Sequence, residues 1–465
     1  MAKANTQGRA NGLITEWHPE DKSFWENGGK KIANKNLIIS IICLLLSFCV
    51  WMLFSTVAIS LNKIGFHFST SKLFMLTALP AASGAIMRVP FSFMVPIFGG
   101  RLWTTLCTAF LAIPALWLGF AVNDPTTPYS TFVLISLLCG VAGGNFASSM
   151  ANISFFYPKK QQGTSLGLNG GLGNLGVSIM QLFAPLVITI GIFGESGTTL
   201  FDGSKIYVSN AAFMWVPLVL IAAALAWFGM NDLKVAKSSL KEQLPILKRP
   251  HMWILSTQYF WTFGSFIGFC AGFAVLTKTQ FPKVDIIEYA FLGPLIGSLM
   301  RPIGGVLADK YTGVRVTALN FVAMIVFCAV VLMALPSATS EGDFALFFAA
   351  FMFLFATAGL GSGSAYQMIA VTFRKISVER GLAMKHTQEE AEDEAIKSTA
   401  AALGFISAIG AAGGFFVPKS FGTAIALTGS PVAALLIFMA FYVVCILICL
   451  GVYGPKNREL HMRTA

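Results

Sequence analysis

The chain has 465 residues, 55% of them hydrophobic and only 11% charged, with a mean hydropathy of +0.72. A soluble domain has about a quarter of its residues charged, so this composition excludes a soluble enzyme and points to a chain that uses lipid as its solvent. The net charge of +11 is not a nucleic-acid signature, because the basic residues collect in alternate connecting segments rather than along one face.

In chain order, a mixed polar leader (1–36) containing Trp17, Asp21 and Glu26 comes first. It has no cleavable signal pattern and is read as a cytoplasmic segment. Twelve apolar stretches follow, at 37–59, 73–98, 102–121, 130–153, 164–190 and 211–230, then at 251–276, 287–308, 314–335, 344–371, 398–422 and 431–453. Each is long enough to cross a hydrocarbon layer of roughly 30 Å as a helix. The expected fold is an all-α polytopic membrane protein of twelve transmembrane helices in two pseudo-symmetric six-helix halves, 37–230 and 251–453. A basic cytoplasmic linker (231–250) separates the halves, a short tail (454–465) closes the chain, and the segment between 371 and 398 is read as a basic loop.

With the first residue inside, 24 of the 32 Lys and Arg fall in cytoplasmic segments and 6 outside. That asymmetry predicts cytoplasmic termini and a bacterial inner-membrane location. All eight cysteines lie in apolar runs without metal-ligand spacing. They read as small membrane-embedded hydrophobes, and neither a metal nor a cofactor site is expected.

The two basic residues left over are Arg88 and Arg301, each inside a predicted span. A guanidinium there costs a few kcal/mol or more and stays protonated, so it marks a cavity or a partner. No Asp or Glu lies deep in any span; Glu288 and Asp309 sit at boundaries. Arg88-Val-Pro90 precedes Gly99-Gly100-Arg101, and Arg301-Pro302 precedes Gly313 and Arg315, with twelve residues from each arginine to Gly100 or Gly313. Two matched guanidiniums in paired halves suggest one anion site near the middle of the membrane. Their planar, bidentate donors suit a planar oxyanion.

Fixed positive charges without an embedded carboxylate favour exchange of one anion for another over proton symport. Asn169 and Asn174 are candidate amide donors, set against ordinary interhelical hydrogen bonding. Tyr259 is a candidate hydroxyl donor, set against simple packing, and Phe146 and Phe266 are candidate walls. Glycines Gly167, Gly171 and Gly173, with Gly410 and Gly413, mark flat helix faces that allow close packing and sliding during conformational change. Asp309 and Lys310, in Gly305-Val-Leu-Ala-Asp309-Lys310-Tyr-Thr-Gly313, form a candidate conformational latch, set against a wet surface pair.

This last loop resembles the Gly-x-x-x-Asp-Lys/Arg-x-Gly-Arg/Lys loop of the major facilitator superfamily; its first-half counterpart at Gly99-Gly100-Arg101 lacks the Asp. Three further segments carry a resemblance to bacterial nitrate/nitrite porters of the enterobacterial NarK/NarU type. They are Gly163-Thr-Ser-Leu-Gly167-Leu-Asn169-Gly170-Gly171-Leu-Gly173-Asn174-Leu-Gly176, Ala400-Ala-Ala-Leu-Gly404 through Gly410, Gly413 and Gly414, and Ser148 through Pro158. The resemblance implies that Arg88 and Arg301 hold nitrate or nitrite, with Tyr259 donating a hydrogen bond and Asn174 nearby. It further implies nitrate uptake against nitrite export by a monomer in the bilayer, with proton-coupled symport or an uncoupled anion pathway as alternatives.

Overall fold

The computed structural model describes residues 13–192, 197–200, 203–234, 244–337 and 340–454. Of the predicted leader, linker and tail, residues 1–12, 235–243 and 455–465 lie outside the described residues. Among the described residues, twelve helices are long and apolar enough to cross a membrane. In the first half they are Lys22–Ile64, Thr70–Phe98, Gly100–Ala121, Tyr129–Phe156, Ser165–Val187 and Asn210–Gly229. In the second they are Pro250–Gln280, Ile286–Tyr311, Gly313–Ala334, Phe344–Ala383, Ala401–Thr428 and Val432–Val452. Hydropathy places most ends within a few residues, because the transition from apolar to polar sequence sets them.

Three departures have physical causes. The first span breaks at Met52 and Leu53, between helices Lys30–Trp51 and Phe54–Leu61. There the Ser55 hydroxyl donates to the Met52 carbonyl at 2.6 Å and accepts from Gln181 Nε2 at 2.9 Å. A serine that takes a backbone carbonyl competes with the helix ladder and bends it. The tenth helix continues to Ala383, and the eleventh begins at Gln388, so the segment read as a basic loop is a helical hairpin. A capping box at Thr387 and Glu390 starts the second arm, which supplies the orphan N–H groups of its first turn. The leader also folds: Leu13–Ile14 pairs in parallel with Asp232–Leu233. Trp17 and Trp25 pack with Ile153, Phe156, Tyr157 and Leu233.

The chain divides into two compact units. One holds the residues up to Phe68 and those from Ala82 to Leu240; the other holds Ser69–Ala81 and the residues from Lys241 onward. The start of the second span thus groups with the later unit, where Phe74 packs on Phe421 and against Gly422.

Within each unit, glycine lets the arginine-bearing helix lie directly against a neighbour. In the first, Gly84 faces the Gly140 carbonyl, and a Cβ on Gly143 would stand 3.0 Å from the Gly84 Cα. In the second, a side chain on Gly304 would run into the Leu360 carbonyl, one on Gly359 into the Gly297 carbonyl, and one on Gly363 into the Arg301 carbonyl. Such contacts need residues without side chains, as in other membrane helix pairs.

Candidate anion site

Arg88 is fully buried in the second span. Its Nε donates to the Gly143 carbonyl of the fourth span at 3.1 Å. The guanidinium carbon lies 4.6 Å from the Phe146 ring centre and 5.5 Å from that of Trp51. Trp51 fills the notch left by two glycines: a Cβ on Gly84 would stand 3.0 Å from its Nε1, and one on Gly143 would stand 2.9 Å from its Cε2. Phe146 is braced edge-on by Phe48, and a Cβ on Gly170 would touch its ring at 3.3 Å. A desolvated cation over aromatic faces gains about 2 kcal/mol per good contact, which offsets part of the burial penalty while leaving the charge intact.

Arg301, in the eighth span, is held in a comparable way within its own unit. Its Nη2 donates to the Tyr259 hydroxyl at 2.8 Å. Its guanidinium carbon lies 5.1 Å from the Phe263 ring centre and 5.9 Å from that of Tyr366. The buried Nη1 has no hydrogen-bond partner among the described residues. Tyr259 stacks on Phe263 at 5.1 Å and 10°, and its ring occupies the space a side chain on Gly410 would need. Next to it, Gly264 and Gly413 bring the seventh and eleventh helices together; a Cβ on Gly264 would stand 2.7 Å from the Gly413 Cα.

The two asparagines differ. Asn169 Nδ2 donates to Ser149 Oγ at 2.7 Å, which commits that end to the fourth span, and its Oδ1 has no hydrogen-bond partner among the described residues. Asn174 is fully buried, and neither of its amide atoms has a hydrogen-bond partner among the described residues. A buried amide in that condition costs about 1–3 kcal/mol, so it is the sort of group a polar ligand would satisfy. Among the glycines, Gly173 abuts Leu44 of the first span, Gly171 is half-buried, and a Cβ on Gly167 would meet nothing within 4 Å.

Asp309 accepts from Gln367 Nε2 at 2.8 Å and so joins the eighth helix to the tenth, while Lys310 Nζ lies 5.1 Å from the Tyr311 ring centre. The first half, whose loop has no Asp, recruits Asp232 from beyond the sixth span. Its Oδ1 accepts from the Arg101 backbone N–H at 2.7 Å, and its Oδ2 lies 3.6 Å from Arg101 Nε. Arg101 in turn stacks over Trp227 at 4.7 Å. Burial raises the Asp232 carboxyl above its usual range, against the lowering effect of Arg101.

Sequence reasoning missed Trp51, Phe263 and Tyr366. Phe263 lies one helical turn after Tyr259, a spacing that shares a face, and that periodicity was the available signal. Phe266, a candidate wall on that helix, packs against Gly297 and Phe263. Among the described residues, no three His, Cys, Asp or Glu side chains gather as a metal site.

The Major Facilitator Superfamily profile matches residues 39–385. The chain is 60% identical to the nitrate/nitrite transporter NarU of Salmonella typhimurium, covering 96% of this chain and 97% of that protein. It is 58% identical to NarU of Escherichia coli over the same shares. The probable nitrate/nitrite antiporter NarK2 of Thermus thermophilus is 38% identical, over 77% of this chain and 83% of that protein. Among solved structures, a bacterial homolog of the human lysosomal transporter Spinster, in an inward-facing and occupied conformation, aligns with a TM-score of 0.63. That alignment covers 92% of this chain and 98% of the other at 15% identity, and it bears on the fold alone. Twelve membrane-length helices among the described residues, a matching family profile and near full-length identity converge: the chain belongs to the Major Facilitator Superfamily and, within it, to the NarK/NarU family.

Proposed function

We propose that this protein is a nitrate/nitrite transporter that exchanges external nitrate for internal nitrite by alternating access, with Arg88 and Arg301 jointly holding the anion. The observation that carries the reading is the pair of guanidiniums at matched positions in the two halves, each set among aromatic rings inside an apolar helix. Arg301 Nη1 and Asn174 Nδ2 are buried donors suited to oxyanion oxygens. The substrate assignment draws on relatives named as nitrate/nitrite transporters, and the exchange mode on a relative named as an antiporter. No Asp or Glu occurs within the apolar cores of the spans, so the membrane interior lacks the usual titratable carrier for a proton. We further propose that both termini are cytoplasmic, that the membrane is the bacterial inner membrane, and that the monomer is the working unit.

The test is nitrate uptake by purified protein in sealed liposomes at controlled potential and pH, with nitrite inside or absent. Uptake that requires internal nitrite supports exchange. Uptake into anion-free vesicles overturns it, and its response to pH then separates proton symport from an uncoupled pathway. Arg88→Lys and Arg301→Lys test the site itself. Each keeps the charge but loses the bidentate fork, and each is expected to lower uptake by about tenfold or more while still inserting.

A further inference from the structure

The folded leader builds a basic groove at the start of the first span that the transport reading does not use. Trp17 and Trp25 seat the leader against Phe156 and Tyr157, and Leu13–Ile14 is tied to Asp232–Leu233. Gly28, at φ 142°, interrupts the helical run just before Lys30. Asn34 is fixed by the Tyr157 hydroxyl, which donates to its Oδ1 at 2.7 Å. The result is an open groove lined by Glu26, Gly28, Lys30, Lys31, Lys35 and Ile38, with a volume of about 730 Å³. All three lysines are exposed, and they outnumber the single glutamate.

The position of the groove along its helix identifies the occupant. Lys31, Lys35, Ile38 and Ile42 follow one another at steps of four, three and four, so they share one face of the first span. Ile38 is 59% exposed and Ile42 37%. In a membrane-spanning helix, exposed isoleucines of this kind face acyl chains. One continuous stripe thus runs from a cluster of ammonium groups to an apolar track. A free phosphate would use only the first part, whereas an anionic phospholipid would use both.

We propose that this groove binds the headgroup of an anionic phospholipid, with Lys30, Lys31 and Lys35 around the phosphate and one acyl chain along Ile38 and Ile42. Juxtamembrane lysines each contribute about fivefold in binding to anionic lipid. Removing all three reduces affinity by about a hundredfold at low salt.

The experiment is lipid retention by the full-length protein in detergent, read by native mass spectrometry with phosphatidylglycerol and phosphatidylcholine in competition. Wild type is expected to retain phosphatidylglycerol preferentially. The K30Q/K31Q/K35Q variant is expected to lose that preference, with K31Q/K35Q losing part of it should the triple variant fold poorly. Ile38→Ser is expected to weaken retention with all charges in place. Equal retention of both lipids by wild type would overturn the proposal, as would unchanged preference in a folded lysine variant. Glycerol phosphate displacing the lipid at equal concentration would also overturn it, since the apolar track would then play no part.

Discussion

Gly99 and Thr312 hold the same left-handed backbone turn, at φ 86° and 79°, each eleven residues after the arginine of its half. Glycine adopts that conformation without penalty, whereas a β-branched residue is strained there by about 1–3 kcal/mol. Thr312 is exposed and caps nothing with its side chain. Thr312→Gly is therefore expected to stabilise the protein by about 1 kcal/mol after the entropy of the unfolded glycine is counted, seen as a higher thermal midpoint in detergent. Gly99→Ala is expected to do the reverse, since its Cβ would also stand 2.5 Å from the Asp232 carboxylate.

Tyr259 offers a separable test of hydroxyl and ring. Tyr259→Phe removes the 2.8 Å hydrogen bond to Arg301 and keeps the stacking on Phe263. A hydrogen bond to a charged group is worth about 1.5–3 kcal/mol, so transport efficiency is expected to fall by about tenfold or more with little change in thermal midpoint. Gly410→Ala should lower both, because its methyl group needs the space the tyrosine ring fills.

Trp51 is expected to act through Arg88 rather than on the anion. Trp51→Phe keeps an aromatic face near the guanidinium and should lose about threefold in uptake. Trp51→Leu removes that face and opens the notch between Gly84 and Gly143, and about tenfold or more should be lost. Equal uptake by the two variants would show that volume, not the aromatic face, is what matters.

Asp232 gives a pH signature at the start of the third span. Its carboxyl is raised by burial, so the folded state holds the proton more tightly than the unfolded state. Its favourable contribution is complete below the unfolded pKa and is lost as pH rises through the folded value. Compared with Asp232→Asn, the wild type should lose relative stability as pH rises from the usual carboxylate range toward neutrality. Denaturation of both proteins across that interval measures the sign directly.

The twelve spans and the two arginines were legible because both follow from transfer free energy: long apolar runs, and two charges where lipid makes charge costly. The aromatic rings around those charges were not. The chain has 42 Phe, 9 Trp and 9 Tyr, and nothing local distinguishes Trp51 or Tyr366 from aromatics that only pack. Asp232 was hidden for a related reason, since its partner Arg101 lies 131 residues away in sequence. The hairpin beyond Ala383 was legible in principle. Thr387 and Glu390 have capping-box spacing, but a charged segment between two apolar runs looks like a loop when hydropathy alone is read.

That hairpin has a mechanical consequence. Its two helices have 40 and 41 residues, about 60 Å each, so their polar ends project well past the length a bilayer requires. They are fastened to each other where Gly381 meets Ala391, with Arg374 and Glu392 3.9 Å apart. A rigid arm pivoting within the lipid sweeps a wider arc at its tip than at its fulcrum. A spin label or fluorophore at Met384 would therefore magnify small helix tilts near the candidate anion site into displacements large enough to time a transport cycle.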